Sequence, residues 1–437
     1  MSNKALARAV RELSGRAGTP VNCDHTSVSR WLAGMRPRDK TARLIAEVLG
    51  IKLARPVSLA DIGIGEPESV DSSLGTAYSD SVSDAIRVLE RLWQADLDGV
   101  RTLVTAPTDD RVWSDSSLSW LVRPSAEVIE ERSGGSRIGA SDVAAVRATC
   151  DLFAQLDERF GGGHARRALI QYLRSDVAAL LSGCYSETVG RQLHATVAQT
   201  ALLAAWMSYD AGLHGLAQRY FVQALRLAQS ADDVLLAGGI LDAMSHQATY
   251  LARPREAANL ARAARSGTRG CATATLTAHF HIMEARALAA GGDASGAQQG
   301  LARAVELFEK SRPEDDPQWI RYFDDSELAS EFSHTFADLR RGNDVVASAR
   351  RYLASGGGSV RTTFFVTMKL AGGFLDLGEI EEACRTVRQA LDLGSQLKSA
   401  RCAEYVRQFR ARATEFAGDP TYRDLAESAV GHRLWGR

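Results

Sequence analysis

Ala217-Gln218-Arg219-Tyr220-Phe221-Val222-Gln223-Ala224 sets a small residue at each end and a large apolar ring between them. The spacing is small-x3-large-x2-small. It returns in phase as Ala257-x3-Ala261-x2-Ala264, Ala297-x3-Leu301-x2-Ala304 and Ala383-x3-Val387-x2-Ala390. The first three copies start 40 residues apart; the fourth starts 86 after the third, leaving room for one intervening unit. Gly342-Asn343-Asp344 precedes a segment in that gap, Val345 to Leu353, that fits its second helix. Small residues let paired helices approach closely, so this recurrence predicts stacked helical hairpins. Turn signals fall between the paired helices: Gly212, Arg253-Pro254, Gly291-Gly292-Asp293 and Gly378-Glu379.

The spacing is the second-helix signature of a tetratricopeptide repeat, whose minimal period is roughly 34 residues. The longer step predicts helices extended by about a turn. The fold class expected is all-α, with residues 198–437 as a right-handed α-solenoid of tetratricopeptide-like hairpins. Such a solenoid exposes an inner concave face lined by first helices. Counting back from the repeat phase, that face should carry Gln199, Trp206, Tyr209, Asp242, His246, Tyr250, His279, Arg286, Phe332 and Phe336. Aromatic, histidine and charged residues on a concave face are candidates for a peptide or small-molecule site. The alternative is that Phe332, Phe336 and some histidines pack between helices, as Met368 and Phe364-Phe365 should. Helices over Lys398–Phe416 and Tyr422–Val430 read as caps, and the tail His432-Arg433-Leu434-Trp435 docks or helps to dimerise.

Upstream, residues 83–197 read as a helical connector. Ser83-Asp84 caps a helix reaching Leu97, Val100–Val104 allows a strand or extended segment, and Ser141-Asp142 starts a helix ending near Phe160. Gly161-Gly162-Gly163 lacks the Lys-Ser/Thr of a phosphate loop, so it reads as a helix stop with close packing. A helix from Arg166 to Leu181 follows. Residues 67–82, rich in Ser, Asp and Gly, read as a linker or a surface loop.

A chain of 437 residues with 45% hydrophobic content is globular and long enough for two or three domains. Its net charge of −1 hides an asymmetry. Residues 1–55 hold eleven Lys/Arg and four Asp/Glu, a net +7, against 41 and 49, a net −8, in the remainder. A small basic head on a large acidic body suits a polyanion-binding module joined to a separate domain. The six cysteines lie far apart with no CxxC, which argues for a reduced, cytoplasmic protein without a metal site. There is no long apolar run for a membrane span.

Within the head, residues 1–66, the decisive run is Thr26-Ser27-Val28-Ser29-Arg30-Trp31-Leu32-Ala33-Gly34, followed by Met35-Arg36-Pro37-Arg38. Asp24 or His25 can cap it; Val28, Trp31 and Leu32 form one apolar face, and Gly34 and Pro37 stop it. The other face offers Thr26, Ser27, Ser29 and Arg30, groups suited to base edges and phosphate. It reads as the recognition helix of a helix-turn-helix. A helix over Lys4–Gly15 precedes it, broken by Gly18-Thr19-Pro20. Another over Asp39–Leu49, stopped by Gly50, follows it, and residues 51–66 close the module. A head of the Cro/repressor type needs one more helix before the scanning helix. Met1 stands against that helix's cap, so the expectation is that the true start lies upstream.

The runs Ala5-Leu6-Ala7-Arg8-Ala9-Val10 and Asp24-His25-Thr26-Ser27-Val28-Ser29-Arg30-Trp31-Leu32-Ala33-Gly34-Met35-Arg36-Pro37-Arg38 resemble the XRE-family regulators of actinobacteria. The similar subgroup carries a C-terminal tetratricopeptide-like domain. Trp206-Met207-Ser208-Tyr209-Asp210-Ala211-Gly212 and Leu216-Ala217-Gln218-Arg219-Tyr220-Phe221 resemble it too. The resemblance implies sequence-specific binding of double-stranded DNA, with Thr26, Ser27, Ser29 and Arg30 in the major groove and Arg36, Arg38 and Lys40 on phosphates. It implies a regulator of development or secondary metabolism, a homodimer whose solenoid binds a peptide, small-molecule or protein effector. Heads on successive half-sites must lie about 34–36 Å apart, so a change of curvature would switch operator affinity. No GxSxG, HExxH, Walker loop or dinucleotide fingerprint occurs in its proper context, so no enzymatic activity or cofactor is expected. The competing reading is a protein-interaction scaffold that does not bind DNA.

Overall fold

In the computed structural model, which describes residues 2–16, 21–53, 57, 59, 62–63, 71–122, 136–356 and 358–436, the described residues are helical, with no strand. The chain divides into two units, Met1–Asp71 and Ser72–Arg437. The boundary therefore falls before the expected connector, which belongs to the same unit as the solenoid.

The first unit is three helices: α1 (Asn3–Arg16), α2 (His25–Leu32) and α3 (Asp39–Leu53). Ala7 and Val10 of α1, Val28 of α2 and Leu44, Ile45 and Val48 of α3 meet around Cys23. The Asp24 side chain caps α2 by accepting from the Ser27 backbone N–H at 2.8 Å. Gly34 takes φ +100° and ends it. The apolar face of α2 is narrower than expected: Val28 is buried and Trp31 half-buried, but Leu32 is 75% exposed. Gly50 does not stop α3, which continues to Leu53. A glycine inside a helix costs about 1 kcal/mol relative to alanine without breaking it. The expected break at Gly18-Thr19-Pro20 lies outside the described residues, as does most of residues 54–66.

The second unit opens with a segment that the sequence presents as a linker. Its described part, from Ser72, is pinned to one helix of the body. Arg219 Nε donates to the Leu74 carbonyl at 3.0 Å, and Gln223 Nε2 to the carbonyls of Gly75 and Ala77 at 3.0 Å each. Arg226 Nε donates to that of Ser79 at 2.9 Å. Three side chains on one helix face satisfy the backbone of an irregular strip, which is what lets it be partly buried. Three helices follow: α4 (Val82–Leu97), α5 (Arg101–Val104) and α6 (Asp110–Val122). The stretch open to a strand reading is α5, a helical turn with Leu103 buried. Five residues carry too little pattern to fix their conformation, so packing decides it. Then come α7 (Ala140–Phe160), α8 (Arg166–Tyr172) and α9 (Ala178–Leu181), the last two joined by a π turn at Leu173–Val177. Gly161 ends α7 at φ +83°. A Cβ on Gly162 would stand 2.6 Å from the Met207 carbonyl oxygen, and one on Gly163 2.7 Å from that of Lys398. The glycine run is thus a stop and a close approach.

The solenoid proper begins at α10 (Glu187–Asp210), eleven residues before the expected boundary. α10 pairs with α11 (His214–Ser230), α12 (Val234–Tyr250) with α13 (Pro254–Gly267), and α14 (Ala274–Ala290) with α15 (Ala294–Phe308). α16 (Asp325–Asp338) pairs with α17 (Gly342–Ala354), and α18 (Val360–Asp376) with α19 (Ile380–Gly394). α20 (Ala400–Ala413) and α21 (Pro420–Ser428) follow. Every signature position of the four repeats is at most 3% exposed, all lying on second helices. The 86-residue step holds the pair α16–α17 and the long connection 309–324. α11 is covered on both sides: every residue from Gly215 to Ser230 is buried, because α4, α5 and α6 pack on its outer face.

The C-terminal helices do not merely cap. α21 packs on α19, and Leu434 and Trp435 are buried in the same core. α20 continues the inner row and sends Arg401 and Tyr405 among the first helices. The Lys398 N–H donates to the Phe160 carbonyl at 2.7 Å, and Ser399 Oγ donates to Asp210 at 2.8 Å. The turn after α7 and the end of α10 thereby fix where α20 starts.

Candidate nucleic-acid face and the filled hollow of the body

On the head, Thr26, Ser29, Arg30, Arg36, Arg38 and Lys40 are exposed and Ser27 is half-buried. α2 is short and rigidly capped: Asp24 Oδ1 accepts from both the N–H and the hydroxyl of Ser27 at 2.8 Å. These bonds, the backbone one first, hold the Asp24 carboxyl below its ordinary pKa. The Ser27 hydroxyl is therefore spent on the cap. Ser29 Oγ donates to the His25 carbonyl at 3.0 Å and accepts from Asn3 at 3.2 Å, which ties α2 to the start of α1. The exposed groups of this face are Thr26, Ser29 and Arg30 on α2, with Arg36, Arg38 and Lys40 beside the turn into α3. Eight residues separate α1 from α2, where a helix-turn-helix uses a turn of three or four. Leu32 and Met35 stand 75% and 56% exposed at the end of α2.

In the body, the ten residues assigned to an open hollow are distributed otherwise. Trp206, Tyr209, His246 and Tyr250 do come together: their ring centroids lie 5.3–5.7 Å apart, with His214 against Tyr209 and Tyr250. Tyr209 is fully buried, and His246 Nδ1 lies 3.2 Å from its hydroxyl. Burial, then Arg286 and Arg401, push the His246 imidazole well below its ordinary value, so it is neutral. Asp242 and His279 are buried and face each other at 2.9 Å. Burial alone would lower the His279 pKa, but the Asp242 carboxylate outweighs it and the net shift is upward. Arg286 is 5% exposed and pairs with Glu331 at 2.8 Å. Gln199 is half-buried two turns before Trp206. Phe332 and Phe336, half-buried one turn apart on α16, pack edge to face on each other, with Arg341 over Phe336 at 4.9 Å. Tyr209, Asp242, His279 and Arg286 therefore do not line an open groove. α20 occupies the space that the repeat phase leaves hollow.

One opening in the body lies beside α20. A cavity of about 230 Å³ is lined by Gly212, His214, Tyr250, Ala400, Arg401, Ala403, Glu404 and Arg407. The Arg401 guanidinium carbon sits 4.4 Å from the ring centre of Phe365, 4.6 Å from that of Tyr209 and 5.4 Å from that of Tyr250. Arg401 is 6% exposed, and its Nε has no hydrogen-bond partner. His214 Nδ1 is also buried without one. Burial, with Arg401 nearby, lowers the His214 pKa. Glu404 pairs with Arg407 and accepts from Gln408 at 2.9 Å.

Arg401 and Glu404 escape a repeat count that stops at the fourth signature. The signal was present. The 40-residue step carries Arg361 to Arg401 and Phe365 to Tyr405, which puts α20 in register as one more first helix.

A family model described as the SP15 N-terminal domain matches residues 1–65, the span of the three-helix head. Comparison with curated proteins gives no match to the chain.

Proposed function

We propose that this chain is a DNA-binding regulator: the basic head reads duplex DNA, and the tetratricopeptide-like body binds an effector that modulates it. The observation that carries the reading is the exposed cationic face of the head. Arg30 projects from a short capped helix, and Arg36, Arg38 and Lys40 flank it, in a segment whose net charge is +7. Guanidinium groups on a helix that fits a major groove serve base contact, and flanking cations serve phosphate. The resemblance to XRE-family regulators supports the same assignment, and with it a cytoplasmic homodimer acting in development or secondary metabolism.

Fluorescence polarisation on promoter fragments, titrated with salt, tests this. Affinity should fall steeply from 50 to 200 mM salt as counterions return to the DNA. Arg30→Ala should cost about 1–3 kcal/mol and relax sequence preference, while Arg38→Ala should weaken all sequences alike and reduce the salt slope by about 1. Binding that is absent, or indifferent to salt, overturns the proposal. A second reading draws on Leu32 and Met35, whose exposure next to α2 suits a protein partner. On that reading the head is a docking module, and Leu32→Ser would abolish partner capture with no effect on DNA.

A further inference from the structure

Among the described residues, all but one of the buried arginines of the second unit, and some half-buried ones, are neutralised or bonded. Arg361 meets Asp157 at 2.8 Å, Arg286 meets Glu331 at 2.8 Å, and Arg166 grips Asp96 with both terminal nitrogens at 2.6 and 2.9 Å. Arg219 and Arg226 donate to carbonyls. Arg401 is the exception. Aromatic rings surround it, no ion pair holds it among the described residues, and its Nε is orphaned. A guanidinium stays protonated even when buried, and an unpaired buried charge is costly. Ring faces offset part of that cost through the cation–π attraction, but they leave the donating edge unused. Arg401 also lines the 230 Å³ cavity.

We propose that this cavity is a binding site for a small organic carboxylate, held by the Arg401 guanidinium. The chemistry follows from the walls. A carboxylate takes two parallel N–H bonds from a guanidinium. A neutral His214 can add a donor. Tyr250 and Ala403 offer apolar surface to the rest of the molecule. Glu404, the one acid in the wall, is already tied to Arg407. The volume lies below the ~300–1,000 Å³ of drug-sized sites. That size suits a short-chain or single-ring monocarboxylate. The proposal deepens the effector half of the functional reading and does not rest on the DNA-binding half, because it is read on the protein alone.

The test is calorimetric titration of the full-length protein with benzoate and butyrate, against benzamide as the neutral isostere and inorganic phosphate as a compact anion. Saturable binding of at least one carboxylate is expected, with benzamide and phosphate at least tenfold weaker. Arg401→Lys keeps the charge but loses the planar fork, and should weaken carboxylate binding at least tenfold. Ala403→Leu fills the cavity without touching the guanidinium and should abolish binding while leaving the helical circular dichroism unchanged. This second variant keeps the test decisive if Arg401→Lys fails to fold. The proposal is overturned by no saturable carboxylate binding, by benzamide or phosphate binding as well as the carboxylates, or by undiminished binding to Ala403→Leu. Failure of the head to bind DNA leaves each of these outcomes unchanged.

Discussion

At the scale of single residues, burial decides which charges the body tolerates. Glu327 lies half-buried on α16, and its carboxyl is pushed up to about 7 by burial and by Glu331 and Asp324, with His279 opposing. An unfolded glutamate titrates near 4.3. Between roughly pH 4.5 and 7 the folded chain keeps a proton that the unfolded chain has released, so stability falls as pH rises through that window. Glu327→Gln removes the titration. It should be nearly silent at pH 5 and should stabilise by about 1–2 kcal/mol at pH 8, allowing for partial solvent screening. Urea unfolding of both proteins at the two pH values measures the difference. A shift equal at both would mean that the amide packs differently and that the carboxyl is not the cause.

At the scale of elements, the hairpins share a turn in which one residue adopts the left-handed conformation. It is Gly212, Ala252, Gly292, Arg340 and Gly378 in the five successive pairs, with φ between +57° and +83°. Steps of 40, 40, 48 and 38 residues separate them, and wherever a second-helix signature follows, the turn stands five residues before its start. A side chain at such a position costs about 1–2 kcal/mol, part of which glycine returns as lost chain entropy. Ala252→Gly should therefore raise stability by about 0.5–1 kcal/mol, read as a higher urea midpoint with unchanged slope, whereas Gly292→Ala should lower it by a similar amount. These turns also show what was legible. Repeat spacing and glycine turns fixed the hairpins and the phase of their buried faces, because local pattern and packing agree there. The strip from Ser72 to Asp80 reads as a linker by composition, and nothing local in it says that Arg219, Gln223 and Arg226, more than 140 residues later, bind its carbonyls. The filling of the hollow is hidden from the sequence for a related reason. Phase identifies inward positions but not what fills them, and the filler, α20, reads as a cap when taken alone.

At the scale of the molecule, the second unit is fastened where its beginning meets its end. Arg361 on α18 reaches Asp157 of α7 at 2.8 Å and Asp210 of α10 at 3.6 Å. Asp210 in turn accepts from the Gly162 N–H and from Ser399, each at 2.8 Å. One guanidinium thus joins the connector, the first pair and the last, and the same knot starts α20 on its path into the hollow. A stack of hairpins with free ends unfolds piecemeal, since each repeat contacts only its neighbours; a stack tied end to start should lose its structure in one step. Arg361→Met removes the cation and leaves two buried carboxylates facing each other. The cost of an uncompensated buried charge is about 3–5 kcal/mol. Burial already raises the Asp157 pKa despite Arg361, and without that partner it climbs further. The variant's folded state then binds more protons than its unfolded state above the ordinary carboxylate range, so its deficit should grow from pH 5 to pH 8. With the other five tryptophans replaced by phenylalanine in both proteins, fluorescence from Trp93 and Trp113, both buried in the connector, should move together with far-ultraviolet circular dichroism in the parent and separate from it in the variant. A deficit independent of pH, or coincident transitions in both proteins, would show that the knot is packing rather than a charge-dependent fastening.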